Sequence, residues 1–268
     1  MFYNALNGNI KIGNTDMDYI SFGNGKKVLV MIPGLGDALK TVKGTAIVFA
    51  MMYRDFAKEY KVYVFSRKNQ IEKDYSTKNM AKDQVEAIKK LGIYKASFMG
   101  VSQGGMIAQY IAIDYPELID KLVLAVTVSK QNETLQSVVK NWITMAEAND
   151  YKGIVIDTAE KSYSDKYIKK YRLLYPILSR VGKPKDLRRF IIQANACIHH
   201  NVYNELDKIN CQTLVIGGDS DKVVGRNSSE DIAERISGSK LIIYKDLGHM
   251  AYEEAKDFNY QVLNFLNE

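Results

Sequence analysis

The pentapeptide Gly100-Val101-Ser102-Gln103-Gly104 sets one hydroxyl in a frame of small residues. Glycines on either side let the backbone fold tightly, so the serine can occupy a strained turn between a strand and a helix. A serine hydroxyl is a weak nucleophile near neutrality and needs a base within hydrogen-bonding reach. The chain has three histidines, His199, His200 and His249. His249 stands in the loop Asp246-Leu247-Gly248-His249-Met250, whereas His199 and His200 sit side by side in a helical stretch and read as packing or surface residues. The base in turn needs a carboxylate to fix its tautomer, and Asp219 and Asp221 both follow directly on the strand pattern Leu214 to Ile216. Either serves by position alone. A developing oxyanion needs main-chain donors, which the N–H groups of Gln103 and of Leu35 in Pro33-Gly34-Leu35-Gly36 supply. These residue types together support acyl transfer.

Such side chains meet only if a sheet presents its loops along one edge. Short β-branched apolar runs alternate here with longer amphipathic stretches, the rhythm of parallel strands joined by crossover helices. Strands are expected at Lys27–Ile32, Lys61–Phe65, Ala96–Met99, Leu122–Val126, Thr213–Ile216 and Lys240–Tyr244. Helices are expected over 47–58, 78–91 with Ser76 or Thr77 as cap, 103–115 stopped by Pro116, 229–236 and 252–266. Weaker strands near Ile10–Ile12 and Tyr19–Phe22 suit an antiparallel edge. Between residues 130 and 208 the strand signal stops and helical spacing takes over, with breakers at Gly153, Pro176 and Gly182-Lys183-Pro184. The fold class is therefore α/β, a doubly wound and mostly parallel sheet. Residues 1–129 and 209–268 form its core, and 130–208 form an inserted helical cap.

At 268 residues and 46% hydrophobic composition, the chain can bury one substantial core. No basic start joins a continuous apolar run, and segments such as Val28–Ile32 are too short to span a bilayer, which points to a cytoplasmic protein with no membrane partner. Cys197 and Cys211 have neither metal-ligand nor redox spacing and read as free thiols. The net charge of +6 is not arranged as a nucleic-acid-binding block. Residues 130–208 carry 14 Lys and Arg against 9 Asp and Glu, so +5 of it lies in the cap. That imbalance reads as a solvated basic face; the sharper alternative is steering of an anionic acyl substrate by Lys166, Lys169, Lys170 or Arg172.

From Lys27 to Leu266 the chain resembles the α/β-hydrolase superfamily, in the capped branch that holds carboxylesterases, enol-lactonases, non-haem perhydrolases and proline iminopeptidases. The resemblance is carried by Gly100–Ala108, Leu214–Asp221 and Gly248-His249, and by the chain order Ser, Asp, His. It implies a triad of Ser102, Asp221 and His249, because the family's strand-Gly-x-x-Asp pattern falls on Gly218 to Asp221 and leaves Asp219 as a neighbour. The chain departs from the family at Pro33-Gly34 where many relatives carry His-Gly. It also departs at Phe65-Ser66-Arg67-Lys68-Asn69, which lacks the usual Asp and Gly, and at Gly225 where proline is frequent. The expected activity is that of a carboxylesterase-type serine hydrolase working on a small ester, lactone or related acyl substrate through an acyl-enzyme, with no cofactor and no metal. The competing reading is a receptor that binds a small molecule without turning it over. Trp142, Met145, Tyr163, Tyr167 and Tyr171 are the expected cap contributions to the pocket wall.

Overall fold

The computed structural model describes residues 3–180 and 182–268, the side chains at 171 and 178 excepted. Its strands are β1 (Leu6–Ile12), β2 (Thr15–Phe22), β3 (Lys27–Ile32), β4 (Tyr60–Lys68), β5 (Ala96–Val101), β6 (Ile119–Ala125), β7 (Gln212–Gly218) and β8 (Lys240–Tyr244). They form one eight-stranded sheet in the order β1-β2-β4-β3-β5-β6-β7-β8. β1 and β2 pair antiparallel at one edge, and every pairing from β4 to β8 is parallel.

The helices are α1 (Ala46–Met52), α2 (Arg54–Glu59), α3 (Thr77–Lys90), α4 (Gln103–Asp114), α5 (Glu133–Glu147), α6 (Tyr151–Ser162), α7 (Asp165–Tyr171), α8 (Tyr175–Leu178), α9 (Arg188–Ile198), α10 (Ser228–Arg235), α11 (Ala251–Glu254) and α12 (Phe258–Asn267). Strand alternation divides the core in two. Val30, Ile32, Phe98, Leu122 and Leu124 face Met80, Ile88, Ile107 and Ile111 of α3 and α4. Leu29, Met31, Met99 and Val123 face Ala50, Phe56, Phe258 and Val262 of α1, α2 and α12. Both faces of the central strands are thus covered, as a parallel sheet requires.

Three expectations change. The helix read over 47–58 is two, α1 and α2, separated at Tyr53 (φ −107°, ψ 33°), whose ring is buried. The helix read over 252–266 is also two, α11 and α12, parted at 255–257. Gly153 breaks nothing: it lies inside α6, where its N–H caps onto Asp150 Oδ1 at 2.8 Å, and the turn before it falls at Asn149 (φ 55°).

Helices α5 to α9 all leave the sheet between β6 and β7. They form a third apolar cluster, in which Leu135, Val138, Trp142, Ile154, Phe190 and Cys197 pack with Met106 of α4 and with Val223 and Val224 beyond β7. α9 is pinned at its end by His200, whose Nδ1 lies 3.0 Å from Thr77 Oγ1 at the start of α3. Among the described residues no helix is long and apolar enough to cross a membrane.

Candidate active site

β5 is buried throughout and ends at Ser102, which adopts φ 53°, ψ −118° before α4 begins. A non-glycine residue there carries strain of about 1–3 kcal/mol, held in place by its surroundings. Glycine is obligatory on both sides. A Cβ on Gly100 would stand 2.4 Å from Gly104 O, and one on Gly104 only 1.9 Å from Ile32 O. Gly34 allows a further close approach, since its Cβ would lie 3.3 Å from Ser102 Cβ.

The turn after β8 delivers the imidazole. His249 Nε2 is 2.9 Å from Ser102 Oγ, and His249 Nδ1 is 2.8 Å from Asp221 Oδ2. With a carboxylate acceptor at Nδ1 the ring carries its proton there, which leaves Nε2 free to accept from the serine hydroxyl. Asp221 is itself fixed, because its Oδ1 accepts from Val223 N–H at 2.8 Å and Val224 N–H at 2.9 Å. Both groups are nearly dry, at 9% side-chain exposure for His249 and 2% for Asp221. The loop carrying His249 is anchored by Met250 N–H on Ser162 O (3.0 Å) and by Ser220 N–H on Leu247 O (3.0 Å).

Asp219 does different work. Its Oδ1 accepts from the N–H of Asp246 at 2.8 Å, and Asp246 lies in the left-handed region at φ 58°. Asp219 therefore braces the turn that presents His249.

Leu35 opens a one-turn helix, Leu35–Ala38, and Gln103 opens α4. The first N–H groups of a helix have no partner within it and are available to an anion. Neither of these two donates to a protein acceptor among the described residues.

Ser102 and His249 open onto a cavity of about 350 Å³. Its apolar wall comes from Leu35, Phe49, Trp142, Phe190, Met250 and Tyr252, and among the described residues its one lysine or arginine is Lys40. Of the aromatic and methionine residues expected from the inserted helices, Trp142 borders the cavity, its Nε1 donating to Asp157 Oδ2 at 2.7 Å. Met145 packs into the apolar cluster of α5 and α9. Tyr163 and Tyr167 lie off the cavity because they stack on each other, centroids 4.4 Å apart, and the Tyr163 hydroxyl donates to Glu253. The side chain of Tyr171 falls outside the described residues. The basic residues 166, 169, 170 and 172 also lie away from the lining, and Arg172 makes a two-pronged pair with Glu160 at 2.8 Å. Among the described residues no three His, Cys, Asp or Glu side chains gather as a metal would need.

Beneath the cavity lies a polar cluster that the sequence reading missed. Arg67 is fully buried, and its Nη2 donates to Pro33 O at 2.6 Å and to Gln103 Oε1 at 2.7 Å. Burial draws its guanidinium below the ordinary arginine value, against the opposing pull of Asp37. Asp37 Oδ2 accepts from Arg67 N–H at 3.0 Å and from Arg189 Nη2 at 2.9 Å. Gln103 Nε2 donates to Gln193 O at 2.8 Å and to Cys197 Sγ at 3.1 Å, and burial pushes that thiol up to about 12. In sequence, the absence of the family's usual Asp and Gly from Phe65-Ser66-Arg67-Lys68-Asn69, at the end of β4, is the only trace of this cluster.

Comparison with known proteins agrees with the fold. The family model for the alpha/beta hydrolase fold matches residues 27–256. A 2-hydroxy-6-oxononadienedioate/2-hydroxy-6-oxononatrienedioate hydrolase of Pseudomonas sp is 24% identical, over 97% of this chain and 93% of that protein. The serine hydrolase BPHL of Mus musculus is 23% identical, over 96% of this chain and 85% of its own length. Among solved structures, the enol-lactonase from Burkholderia xenovorans LB400 superposes with a TM-score of 0.84 at 18% identity, over 97% of this chain and 100% of that one.

Proposed function

Because this chain belongs to the α/β hydrolase fold family, we propose that it is a serine hydrolase of the carboxylesterase type that cleaves a small acyl compound through an acyl-enzyme. One observation carries the reading: the hydrogen-bonded line from Ser102 through His249 to Asp221, with links of 2.9 and 2.8 Å, opens on a cavity with a mostly apolar wall.

Ser102 Oγ attacks the substrate carbonyl while His249 Nε2 takes the hydroxyl proton. Asp221 stabilises the imidazolium so formed. The carbonyl oxygen becomes an oxyanion, to which the N–H groups of Leu35 and Gln103 donate. Collapse of the tetrahedral species breaks the bond to the leaving group, which receives its proton from His249. Water then repeats the sequence on the acyl-enzyme, with His249 as base, and frees Ser102. Side chains, main-chain donors and water carry every step.

Residues 130–208 serve in this reading as the cap, and Trp142 and Phe190 are its contribution to the acyl pocket. The wall suits a small uncharged acyl group, since it is mostly apolar and, among the described residues, the one cation bordering the cavity, Lys40, is matched by one carboxylate, Asp37. Esters and lactones are both substrates of this type, and the enol-lactonase from Burkholderia xenovorans LB400 is named for a lactone.

Converting Ser102 to Ala tests the proposal. Turnover of p-nitrophenyl acyl esters and labelling by a fluorophosphonate should both vanish while the protein stays folded. Undiminished labelling of the variant would defeat the assignment, and saturable ligand binding with no turnover by either protein would favour a receptor.

A further inference from the structure

We propose that Arg67 is a positioning residue for the oxyanion-binding donors, tying the turn that carries Leu35 N–H to the helix start that carries Gln103 N–H. The proposal rests on the serine hydrolase reading and adds to it a residue outside the triad.

One guanidinium nitrogen makes the tie. Arg67 Nη2 donates both to Pro33 O (2.6 Å) and to Gln103 Oε1 (2.7 Å), so a single group spans the two chain segments. The first bond fixes the plane of the Pro33–Gly34 peptide. Only Gly34 separates that plane from the peptide bearing Leu35 N–H, and a glycine has little local resistance to rotation of the next peptide. The far end of the turn is held as well, because Asp37 Oδ2 accepts from the main-chain N–H of Arg67 and from Arg189 Nη2. Gln103 is held on its other side by Gln193 O and Cys197 Sγ of α9. The inserted helices, the turn after β3 and the start of α4 thus share one network centred on Arg67.

Packing alone gives no reason for an arginine here. Its side chain is wholly buried, its Nε has no partner among the described residues, and Nη1 reaches Asp37 only at 3.8 Å. A buried cation so incompletely paired is a poor stabiliser compared with an apolar side chain of similar volume. Asp37 also has Arg189 as a partner, so the carboxylate does not depend on Arg67 alone. Two guanidinium groups facing one carboxylate leave a net positive charge beneath the place where the oxyanion develops, which favours the same transition state.

The test compares the full-length protein with Arg67→Met and Arg67→Lys. Serine content is titrated with a fluorophosphonate, and kcat and KM are measured per titrated site on a p-nitrophenyl ester, alongside Tm and the inhibition constant of a trifluoromethyl ketone. Displaced donors should lower kcat about 10- to 100-fold in Arg67→Met, with KM nearly unchanged and the ketone weakened in parallel. Arg67→Lys should recover part of the loss, since an ammonium can reach one acceptor but not hold both in the same plane. A merely structural arginine would instead lower Tm and the titratable fraction while each titrated serine kept its kcat, and that result overturns the proposal. Should Arg67→Met not fold, Gln103→Met removes one acceptor of the tie and keeps the Gln103 N–H; unchanged kcat and ketone affinity in that variant overturn the proposal equally. If the wild type hydrolyses no acyl substrate, or Ser102→Ala matches it, the serine hydrolase reading fails and takes this inference with it.

Discussion

Acid should weaken the chain at one identifiable joint, the imidazole of His200 that holds the end of α9 against the start of α3. The ring is 1% exposed, its Nε2 has no partner among the described residues, and it meets Tyr110 edge-on with centroids 5.4 Å apart. Lys78 Nζ lies over the ring of that tyrosine, 5.3 Å from its centroid, which adds a cation to the neighbourhood. Burial lowers the ring from 6.5 to about 3, so the folded chain keeps His200 neutral where the unfolded chain protonates it. Between those two values the unfolded state binds more protons, and stability rises with pH. The contribution is complete above 6.5 and declines by up to about 1.4 kcal/mol for each unit below it. At pH 5 the loss is about 2 kcal/mol, or roughly 4–8 °C in Tm for a chain of this size. Urea unfolding of the wild type and of His200→Asn at pH 7 and pH 5 measures it, because the asparagine keeps a polar partner for Thr77 and does not titrate. The carboxylates titrate in both proteins and cancel in the difference. The variant should lose about 2 kcal/mol less than the wild type on acidification. Equal losses would mean that His200 already takes up its proton in the folded state, and the burial argument would be wrong.

Two further outcomes separate neighbouring residues that the sequence leaves alike. Asp221→Asn should lower kcat about 10⁴-fold by holding the wrong imidazole tautomer, whereas Asp219→Asn should leave kcat within about threefold because it still accepts from Asp246 N–H. Comparable losses in steady-state assays of the two variants would undo the assignment of Asp221. Phe190→Leu should enlarge the acyl pocket and shift relative kcat/KM toward longer p-nitrophenyl esters by about tenfold, at about 1 kcal/mol of stability. An unchanged chain-length profile would show that Phe190 does not bound the acyl group.

What was legible in the sequence was what local chemistry decides. β3 and β8 end where their apolar runs end, and the turn at Ser102 could be read because the steric demands of that turn are met within five consecutive residues. The helix breaks at Tyr53 and at 255–257 escaped, since neither holds glycine or proline and the apolar spacing runs through both. Tyr53 leaves the helical path with its ring buried among Phe49 and Phe56, a tertiary preference that periodicity does not encode. The tyrosine stripe at 163 and 167 misled for a related reason: Tyr163 lies in the extended break between α6 and α7, so its ring stacks on Tyr167 across that break instead of continuing one helix face. Phe49, Phe190 and Tyr252, which do line the cavity, come from separate elements and share no pattern. Arg67 was visible only as a departure from the family's usual residues, because its partners at 33, 37 and 103 converge only in three dimensions.

The strain at Ser102 shows why the three reactive side chains arrive together. A single strained residue relaxes unless its neighbours over-determine it. Ser102 N–H donates to Ala125 O at 2.9 Å, and Thr127 Oγ1 donates to Ser102 O at 2.7 Å, so the end of β6 clasps the turn from both sides. The residue between them, Val126, is itself forced to φ 46°, a conformation that β-branched side chains resist, and is secured by donating to Ile216 O of β7 at 2.8 Å. β7 leads through Gly218 to Asp221. A Cβ on Gly218 would stand 2.2 Å from Leu247 O, so that glycine lets the acid's turn lie against the loop of His249. The edge of the sheet is therefore one cross-braced unit from β5 to β8, and the serine, the acid and the base inherit their distances from it rather than from their own flexible side chains.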